Sequence, residues 1–201
     1  AFLFLIIFGA FIKAPKELAI LRNQNVAPVL EIYDEDPVFG NQKAPITIVE
    51  FGDFGCSHCK DADANIKEVI KEYGGTVKLV WKDVPLSQLN GQPRKAHVAA
   101  HCAKSQEKFC EYHSALFERQ NEWLAKGNFD DIAKNIPGLD VKKFNTCLTN
   151  NTTILKHIQK NVLLAASIGV DNIPYLIING SSRISGVPSI PVLKREIEKA
   201  K

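Results

Sequence analysis

The sequence predicts one α/β domain whose sheet is interrupted by a long helical insertion. Two strand-like segments flank an amphipathic helix between residues 46 and 81, which is a β-α-β unit and favours parallel strands. A stretch with helical periodicity follows from about residue 92 to residue 168, and strand-like segments then return before a last helix. The 201 residues are 45% hydrophobic and 23% charged, so a globular domain with a sizeable core is expected.

The first half of the chain supplies the β-α-β unit. Residues 46–51 are mostly apolar, as in a buried central strand, and GDFG at 52–55 is a turn. The next helix is expected from about residue 56 to 73, because its apolar residues recur three and four positions apart before two glycines. Residues 76–81 are the second strand, and the short apolar stretch 29–33 is expected to add an edge strand.

The second half consists of the insertion, a hairpin and a last helix. Gly169 is the expected end of the last insertion helix, and residues 179–182 join two short strands. A charged helix at 190–199 closes the chain. The candidate helices of the insertion lie at 96–103, 109–120, 132–135, 141–148 and 153–168, and the hairpin strands at 175–178 and 183–185.

Residues 1–13 are expected to be a membrane anchor or the remnant of a signal sequence. The first twelve are apolar, but as a helix they would span only about 18 Å of the roughly 30 Å hydrocarbon layer. A signal anchor, the apolar core of a signal peptide and a buried helix remain alternatives, although the missing polar face disfavours the buried helix. Residues 14–43, which contain several prolines, are expected to be a tether, and residues 44–201 the compact domain.

The charge balance argues against one class of partner. Lys and Arg number 25 and Asp and Glu 22, which gives a formal net charge of +3, and no basic stripe is visible. Binding to nucleic acid is therefore not expected.

The strongest chemical signal is Cys56-Ser57-His58-Cys59, at the predicted passage from strand to helix. Cysteines three positions apart share a helix face, so their sulfurs can form a disulfide. A helix N-terminus favours the thiolate of Cys56, which is the attacking species, and His58 can add a positive charge. Half of a metal site or two core cysteines are the alternatives, but no second ligand pair at matching spacing accompanies them, so no metal site is predicted.

Glu50 is the next candidate, because it interrupts an apolar strand six residues before Cys56. A buried carboxylate is costly and has a raised pKa, so this residue could carry the proton of a buried Cys59. A solvated glutamate at a strand edge is the alternative. Lys82, at the end of the second strand, is a candidate partner of Glu50.

A further signal precedes the third strand. Ile173-Pro174 lies directly before it, a position that suits proline, and a cis bond there would turn the Ile173 backbone toward the cysteines. Phe54 flanks the cysteines and is expected to help form an apolar rim for extended peptides. His97, His101, His113 and His157 are expected to be surface or helix-packing residues.

Five segments, FGDFGCSHC, AHCAKSQEKFCEYHSALF, FNTCL, GVDNIPYLIING and RISGV, together resemble the DsbA-like branch of the thioredoxin superfamily over about residues 36–201. The resemblance implies a thioredoxin-like fold with an inserted helical domain at about 92–168, and a protein disulfide oxidoreductase that acts outside the cytoplasm. It also implies that Cys56 attacks, that Cys59 resolves and that Pro174 is a cis-proline beside them.

Other residues acquire expectations from the same resemblance. Relatives carry an acid near the position of Glu50, and His58 keeps the position that favours the reduced form. Ser57 and Ile173, both expected to contact substrate, depart from the commonest residues and leave the redox poise open.

A structural disulfide is implied between Cys102 and Cys147, because some relatives carry a pair on the helical insertion. It would close a loop of about 45 residues and contribute ~4 kcal/mol to stability in the chain-entropy model. Cys110 is eight residues from Cys102, about 12 Å along one helix and too far to pair with it. The resemblance places Cys110 at a position that a large aromatic residue usually fills in the family, which implies a buried free thiol. Three separate buried thiols are the alternative.

The expected activity is that of a dithiol oxidase that introduces disulfides into secreted or envelope proteins. Its partners would be reduced or unfolded proteins and a quinone-linked membrane oxidase of the DsbB or VKOR type, with no cofactor and a monomeric state. The same chemistry run as a reductase or isomerase is the nearest rival. A Cu(I)-binding module and a non-catalytic peptide-binding module are others, and the absence of methionine argues against copper.

Overall fold

A computed structural model describes residues 29–85 and 91–201. Both ends of this part of the chain contain strands and a helix, and helices alone fill its middle. The strands are β1 (Val38–Gly40), β2 (Ile46–Gly52), β3 (Val77–Asp83), β4 (Tyr175–Ile178) and β5 (Ser182–Ser185). The helices are α1 (Ser57–Glu72), α2 (Gln92–Lys104), α3 (Phe109–Glu118), α4 (Gln120–Lys126), α5 (Phe129–Lys134), α6 (Val141–Thr149), α7 (Thr152–Ser167) and α8 (Ile190–Lys199).

The five strands form one sheet in the order β1-β3-β2-β4-β5. β2 is central, parallel to β3 and antiparallel to β4, and β1 and β5 are the antiparallel edges. Helices α2 to α7 lie between β3 and β4 in the sequence and form the predicted insertion. The structure thus confirms the thioredoxin-like α/β fold with an inserted helical domain.

Two apolar cores hold the layers together. One joins the sheet to α1 and α8 and contains Ile48, Ile66 and Leu193. The other joins the sheet to the insertion, where Tyr112 and Trp123 are fully buried. Both polar tips are paired, because the Tyr112 hydroxyl donates to the Phe129 carbonyl oxygen at 2.7 Å and the Trp123 indole donates to the Leu116 carbonyl oxygen at 2.7 Å. A disulfide between Cys102 and Cys147 links α2 to α6.

The first edge strand corrects the sequence prediction. Residues 29–33 form no strand; the edge is β1, whose Val38 pairs with Val80. Asp36, just before β1, is buried in an ion pair with Lys82. Because this segment is fixed by a strand and a buried charge, the tether predicted for 14–43 is wrong for its part from residue 36 onward.

The predictions for residues 1–13 and 14–28 lie outside the described residues. Among residues 29–85 and 91–201, no helix has the length and hydropathy needed to cross a membrane.

Candidate active site

Cys56 and Cys59 lie where the central strand turns into the first helix. β2 ends at Gly52, and the Cys56 N–H closes the turn by donating to the Asp53 carbonyl oxygen at 3.1 Å. The turn is tightly packed, because a Cβ atom on Gly52 would lie 2.5 Å from the Trp81 ring. Cys56 is the residue immediately before α1, so it lies at the helix N-terminus, beside the first unpaired backbone amides of the helix.

The two sulfurs have different environments. Cys56 is half-buried and Cys59 is fully buried. The Asp53 N–H donates to the Cys59 sulfur at 3.5 Å, and the two cysteine side chains also contact each other. Burial raises the pKa of Cys59, and the neighbouring Glu50 carboxylate raises it further. Cys56 is therefore the accessible sulfur and Cys59 the one whose proton must be supplied or removed internally.

Glu50 is fully buried, and neither of its carboxyl oxygens has a hydrogen-bond partner among the residues that the structure describes. Burial raises its pKa well above the ordinary value; Asp63 raises it further, and Lys67 opposes the shift. The alternative of a solvated glutamate at a strand edge is thus excluded. A protonated carboxyl group in this place can exchange a proton with a nearby sulfur.

Lys82 is not the partner of Glu50, which corrects the sequence prediction. Glu50 is in register with Trp81, and successive side chains of a strand point to opposite faces of a sheet. Lys82 therefore faces the other side, where it contacts the carboxylate of Asp36 and lies 4.0 Å from the centre of the Tyr33 ring.

The peptide bond between Ile173 and Pro174 is cis, directly before β4. The Pro174 carbonyl oxygen accepts a hydrogen bond from the Gly186 N–H at 2.9 Å. Ile173 as a whole is 9% exposed. Ser57 and His58 are exposed beside the cysteines.

Phe54 does not form an apolar rim, contrary to prediction. Its side chain is fully buried and stacks on Trp81 with the ring centres 4.8 Å apart. A long-range aromatic contact thus removes Phe54 from any surface that a peptide could touch.

A buried network of acids and histidines extends from the active-site turn into the insertion. His97 lies between two carboxylates, with its ring nitrogens 2.6 Å from Asp83 and 3.2 Å from Asp53. Burial alone would lower the His97 pKa, but these hydrogen bonds outweigh it and raise the pKa to about 9. His101 contacts the other oxygen of Asp83 at 2.7 Å, and the pKa of Asp83 is held well below its ordinary value despite burial.

Sequence reasoning missed this network and treated the histidines as surface or helix-packing residues. His97, His101, His113 and His157 are all buried. One signal was available: His97 and His101 are four residues apart and so share a helix face, and a buried histidine pair needs acidic partners.

One part of the network has the composition of a metal site. Asp83, His101 and His157 each offer a ligand atom, and these atoms lie within 4.8 Å of one another. Imidazole and carboxylate donors suit zinc-type cations. The three residues come from β3, α2 and α7, so their spacing in the sequence could not indicate the group.

Cys110 is a half-buried free thiol whose sulfur lies 3.8 Å from the Val38 carbonyl oxygen. Burial raises its pKa, which keeps it in the less reactive thiol form.

Comparison with known proteins decides the family. Residues 33–198 match the family model described as Thioredoxin. The chain belongs to this family. Among solved structures it is similar to the thiol-disulfide exchange protein α-DsbA2 of Wolbachia pipientis, with 30% identity, a TM-score of 0.73, and 83% of this chain and 87% of that chain covered.

The curated relatives are of two kinds, and the chain spans only about a quarter of the length of those in the antiporter group. The chain is 26% identical over 175 residues to "Probable disulfide bond formation protein D" of Bacillus anthracis. This match covers 83% of this chain and 79% of that protein. The chain is also 30% identical over 147 residues to Na(+)/H(+) antiporter NhaA 1 of Salinispora arenicola, where the match covers 73% of this chain but only 22% of the antiporter. Family, fold and paired cysteines together make this domain a DsbA-like protein disulfide oxidoreductase.

Proposed function

We propose that the protein is a dithiol oxidase that acts outside the cytoplasm and introduces disulfides into secreted or envelope proteins through Cys56 and Cys59. The observation that carries the proposal is the asymmetry of the two sulfurs. Cys56 is only partly buried and lies at a helix N-terminus, so a substrate sulfur can reach it. Cys59 is fully buried beside a carboxyl group that can hold a proton.

The reaction proceeds by two thiolate attacks. A substrate thiolate attacks the Cys56 sulfur, the Cys56–Cys59 bond breaks, and Cys59 leaves as a thiolate that takes a proton from Glu50. A second substrate thiolate then attacks the substrate sulfur of the mixed disulfide and releases Cys56 as a thiolate. The substrate loses two electrons and gains a disulfide, while the protein retains the electron pair as its dithiol.

Substrate contacts are assigned to the surface around Cys56. The exposed Ser57 and His58 flank the attacked sulfur, and the backbone of Ile173, next to Pro174, offers peptide groups for an extended substrate. His58 can add positive charge beside the Cys56 thiolate and thereby favour the reduced form.

The proposed reaction requires a redox partner and an oxidising compartment. A protein that donates disulfides must be reoxidised, which we assign to a quinone-linked membrane oxidase of the DsbB or VKOR type. The Cys102–Cys147 disulfide fits an oxidising compartment. The proposal further includes a monomeric protein whose residues 1–13 are its membrane anchor.

The first experiment is the reduction potential of the Cys56–Cys59 pair, equilibrated with glutathione and followed by alkylation and mass analysis. A Cys110→Ser variant keeps the third thiol out of the count. A value near about −120 mV supports the oxidase, whereas a value near about −270 mV would make the protein a reductase.

Two controls exclude the remaining rivals. Cys56→Ala should abolish oxidation of a reduced test protein; full activity would favour a non-catalytic peptide-binding module. Failure of the pair to form a disulfide, together with bound copper in the purified protein, would favour a Cu(I) module.

A further inference from the structure

The turn between β2 and α1, which carries Cys56, is packed tightly against the helical insertion. A Cβ atom on Gly55 would lie 2.9 Å from Pro93 at the start of α2, so there is no space between the turn and that helix. The Phe54 ring packs on Phe117 of α3, with the ring centres 5.2 Å apart. The insertion therefore contacts both residues that immediately precede Cys56.

One side-chain amide of the insertion also binds the backbone of this turn. The Gln120 amide nitrogen donates to the Phe54 carbonyl oxygen at 2.7 Å and to the Cys56 carbonyl oxygen at 3.0 Å. Gln120 is the first residue of α4 and is buried. An amide NH2 group has two protons, so a single glutamine can serve both carbonyls.

Further hydrogen bonds fix the same few residues. The Cys56 carbonyl oxygen also accepts the Lys60 N–H at 3.2 Å, which is the first hydrogen bond of α1. At the other end of the turn, the Asp53 carboxylate accepts the Gly55 N–H at 2.8 Å and contacts His97 of α2. The backbone of Cys56 is thus held by its own turn, by α1 and by the insertion.

This arrangement bears on how often the two active-site sulfurs meet. Both cysteines are free thiols in the structure, and the Gln120 hydrogen bonds are already formed in that state. A backbone that is ordered before the disulfide closes loses little further entropy on closure. Such ordering raises the effective concentration of one thiol at the other.

We propose that Gln120 is a positioning residue: by binding the carbonyl groups of Phe54 and Cys56, it holds the Cys56 sulfur within reach of Cys59. The insertion would thereby set how readily the redox pair closes. The inference rests on the proposed roles of the two cysteines, but not on the direction in which a substrate is processed.

The step concerned is the closure of the pair from a mixed disulfide. The Cys59 thiol gives up its proton, and its thiolate attacks the Cys56 sulfur. The Cys56–Cys59 bond forms, the bond between Cys56 and the bound thiol breaks, and the leaving thiolate takes a proton. Cys59 is oxidised, and the sulfur that leaves is reduced.

The test removes the two donors and keeps the length of the side chain. Gln120→Met has no amide protons, and Cys110→Ser is included in every protein to remove the third thiol. Reduced protein is mixed with oxidised glutathione, and samples are quenched with acid and analysed by mass. The mixed disulfide of Cys56 with glutathione should close about tenfold more slowly than in the parent protein.

The equilibrium of the pair with glutathione should move with this rate. We expect Gln120→Met to shift it about tenfold toward the dithiol, which is a rise of about 30 mV in the reduction potential. A merely structural glutamine would lower the free energy of unfolding equally in both redox forms. Positioning requires the oxidised form to lose more stability than the dithiol form, by the same tenfold factor.

A matched control lies elsewhere in the insertion. Gln106 also exchanges two hydrogen bonds with backbone groups, both at Asp140 and both exposed. Gln106→Met should leave the closure rate and the reduction potential unchanged. Circular dichroism verifies folding, and if Gln120→Met does not fold, Gln120→Asn replaces it, because its amide is one methylene too short to serve both carbonyls.

An unchanged closure rate and potential in the folded Gln120 variant would overturn the proposal. Equal losses of stability in the two redox forms, or an equal effect of Gln106→Met, would overturn it as well. The proposed function is tested separately. A reductase-like potential of the wild-type protein would refute the oxidase and leave the Gln120 shift in place, whereas an oxidising potential that does not move in the variant would refute the positioning role alone.

Discussion

Two groups of buried polar side chains lie near the active-site turn, and the Phe54–Trp81 stack contacts both. In the paired group, His97 contacts both Asp53 and Asp83. The group continues through the pairs His101–Asp83 and Lys82–Asp36, so opposite charges face each other within it. In the unpaired group, Glu50, Asp63 and His113, one Asp63 oxygen pairs with Lys67, and the other buried carboxyl oxygens and ring nitrogens have no hydrogen-bond partner among the described residues. The difference teaches that buried polar groups differ in what their surroundings allow. Partners fix the positions of the first group, whereas in the proposed function a carboxyl group without partners holds an exchangeable proton.

The largest effect is expected from removing the central acid of the paired group. Asp83→Ala leaves His97 and His101 facing an empty space, and loss of one partner of a buried ion pair costs about 3–5 kcal/mol. The free energy of unfolding, measured with denaturant, should fall by that amount. Asp130→Ala, at an exposed acid of α5, is the matched control, and equal effects of both variants would show that the network contributes nothing special.

The paired group should also give the protein a stability that depends on pH. His97 has its pKa raised from 6.5 to about 9, so its contribution is complete below pH 6.5 and is lost as the pH rises through about 9. We expect a decline of about 3 kcal/mol across this window. In His97→Gln the decline should disappear, and a variant that keeps the full slope would contradict the assignment.

The unpaired group should respond in the opposite sense. Glu50→Leu removes a buried carboxyl group without partners, so the free energy of unfolding should rise by about 1–3 kcal/mol at pH 8. Because the Glu50 pKa is raised, the wild-type residue loses stability as pH rises above its unfolded value of 4.5, and the gain should shrink at pH 4. Disulfide exchange should slow at the same time. If Glu50→Leu were instead less stable than the wild-type protein at pH 8, the predicted difference between the two groups would be wrong.

The smallest effect is expected at the surface. Lys134 bridges Asp130 and Asp131 on α5, where all three side chains are about half exposed. Water and salt screen such pairs, so Lys134→Ala should leave the thermal midpoint unchanged within error. A clear fall in the midpoint would mean that exposed charges matter here as much as buried ones.

Local patterns were enough to predict the elements around the redox pair. The apolar run of β2, the periodicity of α1 and the strand-to-helix turn at Cys56 all depend on neighbours in the sequence. The edge strand was misplaced because β1 has three residues and is fixed by pairing with β3, about forty residues away. Long-range pairing leaves no periodic signal in so short a segment.

Site residues could be predicted where a single residue gives a local signal in the sequence. They could not be predicted where the site depends on contacts between distant residues. Glu50 stands out because a charge interrupts an apolar strand, and its burial followed. The pairing of Lys82 was wrong because its true partner, Asp36, precedes β1 in a segment that looked like a tether. The Asp53–His97–Asp83 network draws on a turn, a helix and a strand, so it exists only once the insertion has docked on the sheet.

The central position of β2 has a consequence for folding during synthesis on the ribosome. As the chain emerges from the ribosome, β2 can pair with β3 early, but its other edge stays open until residue 176 arrives to pair with residue 50. An unpaired edge on an apolar strand invites aggregation, and the whole insertion must be synthesised before that edge is closed. Through that interval the nascent chain holds its dithiol beside an open strand edge, which makes chaperone binding most valuable until β4 appears.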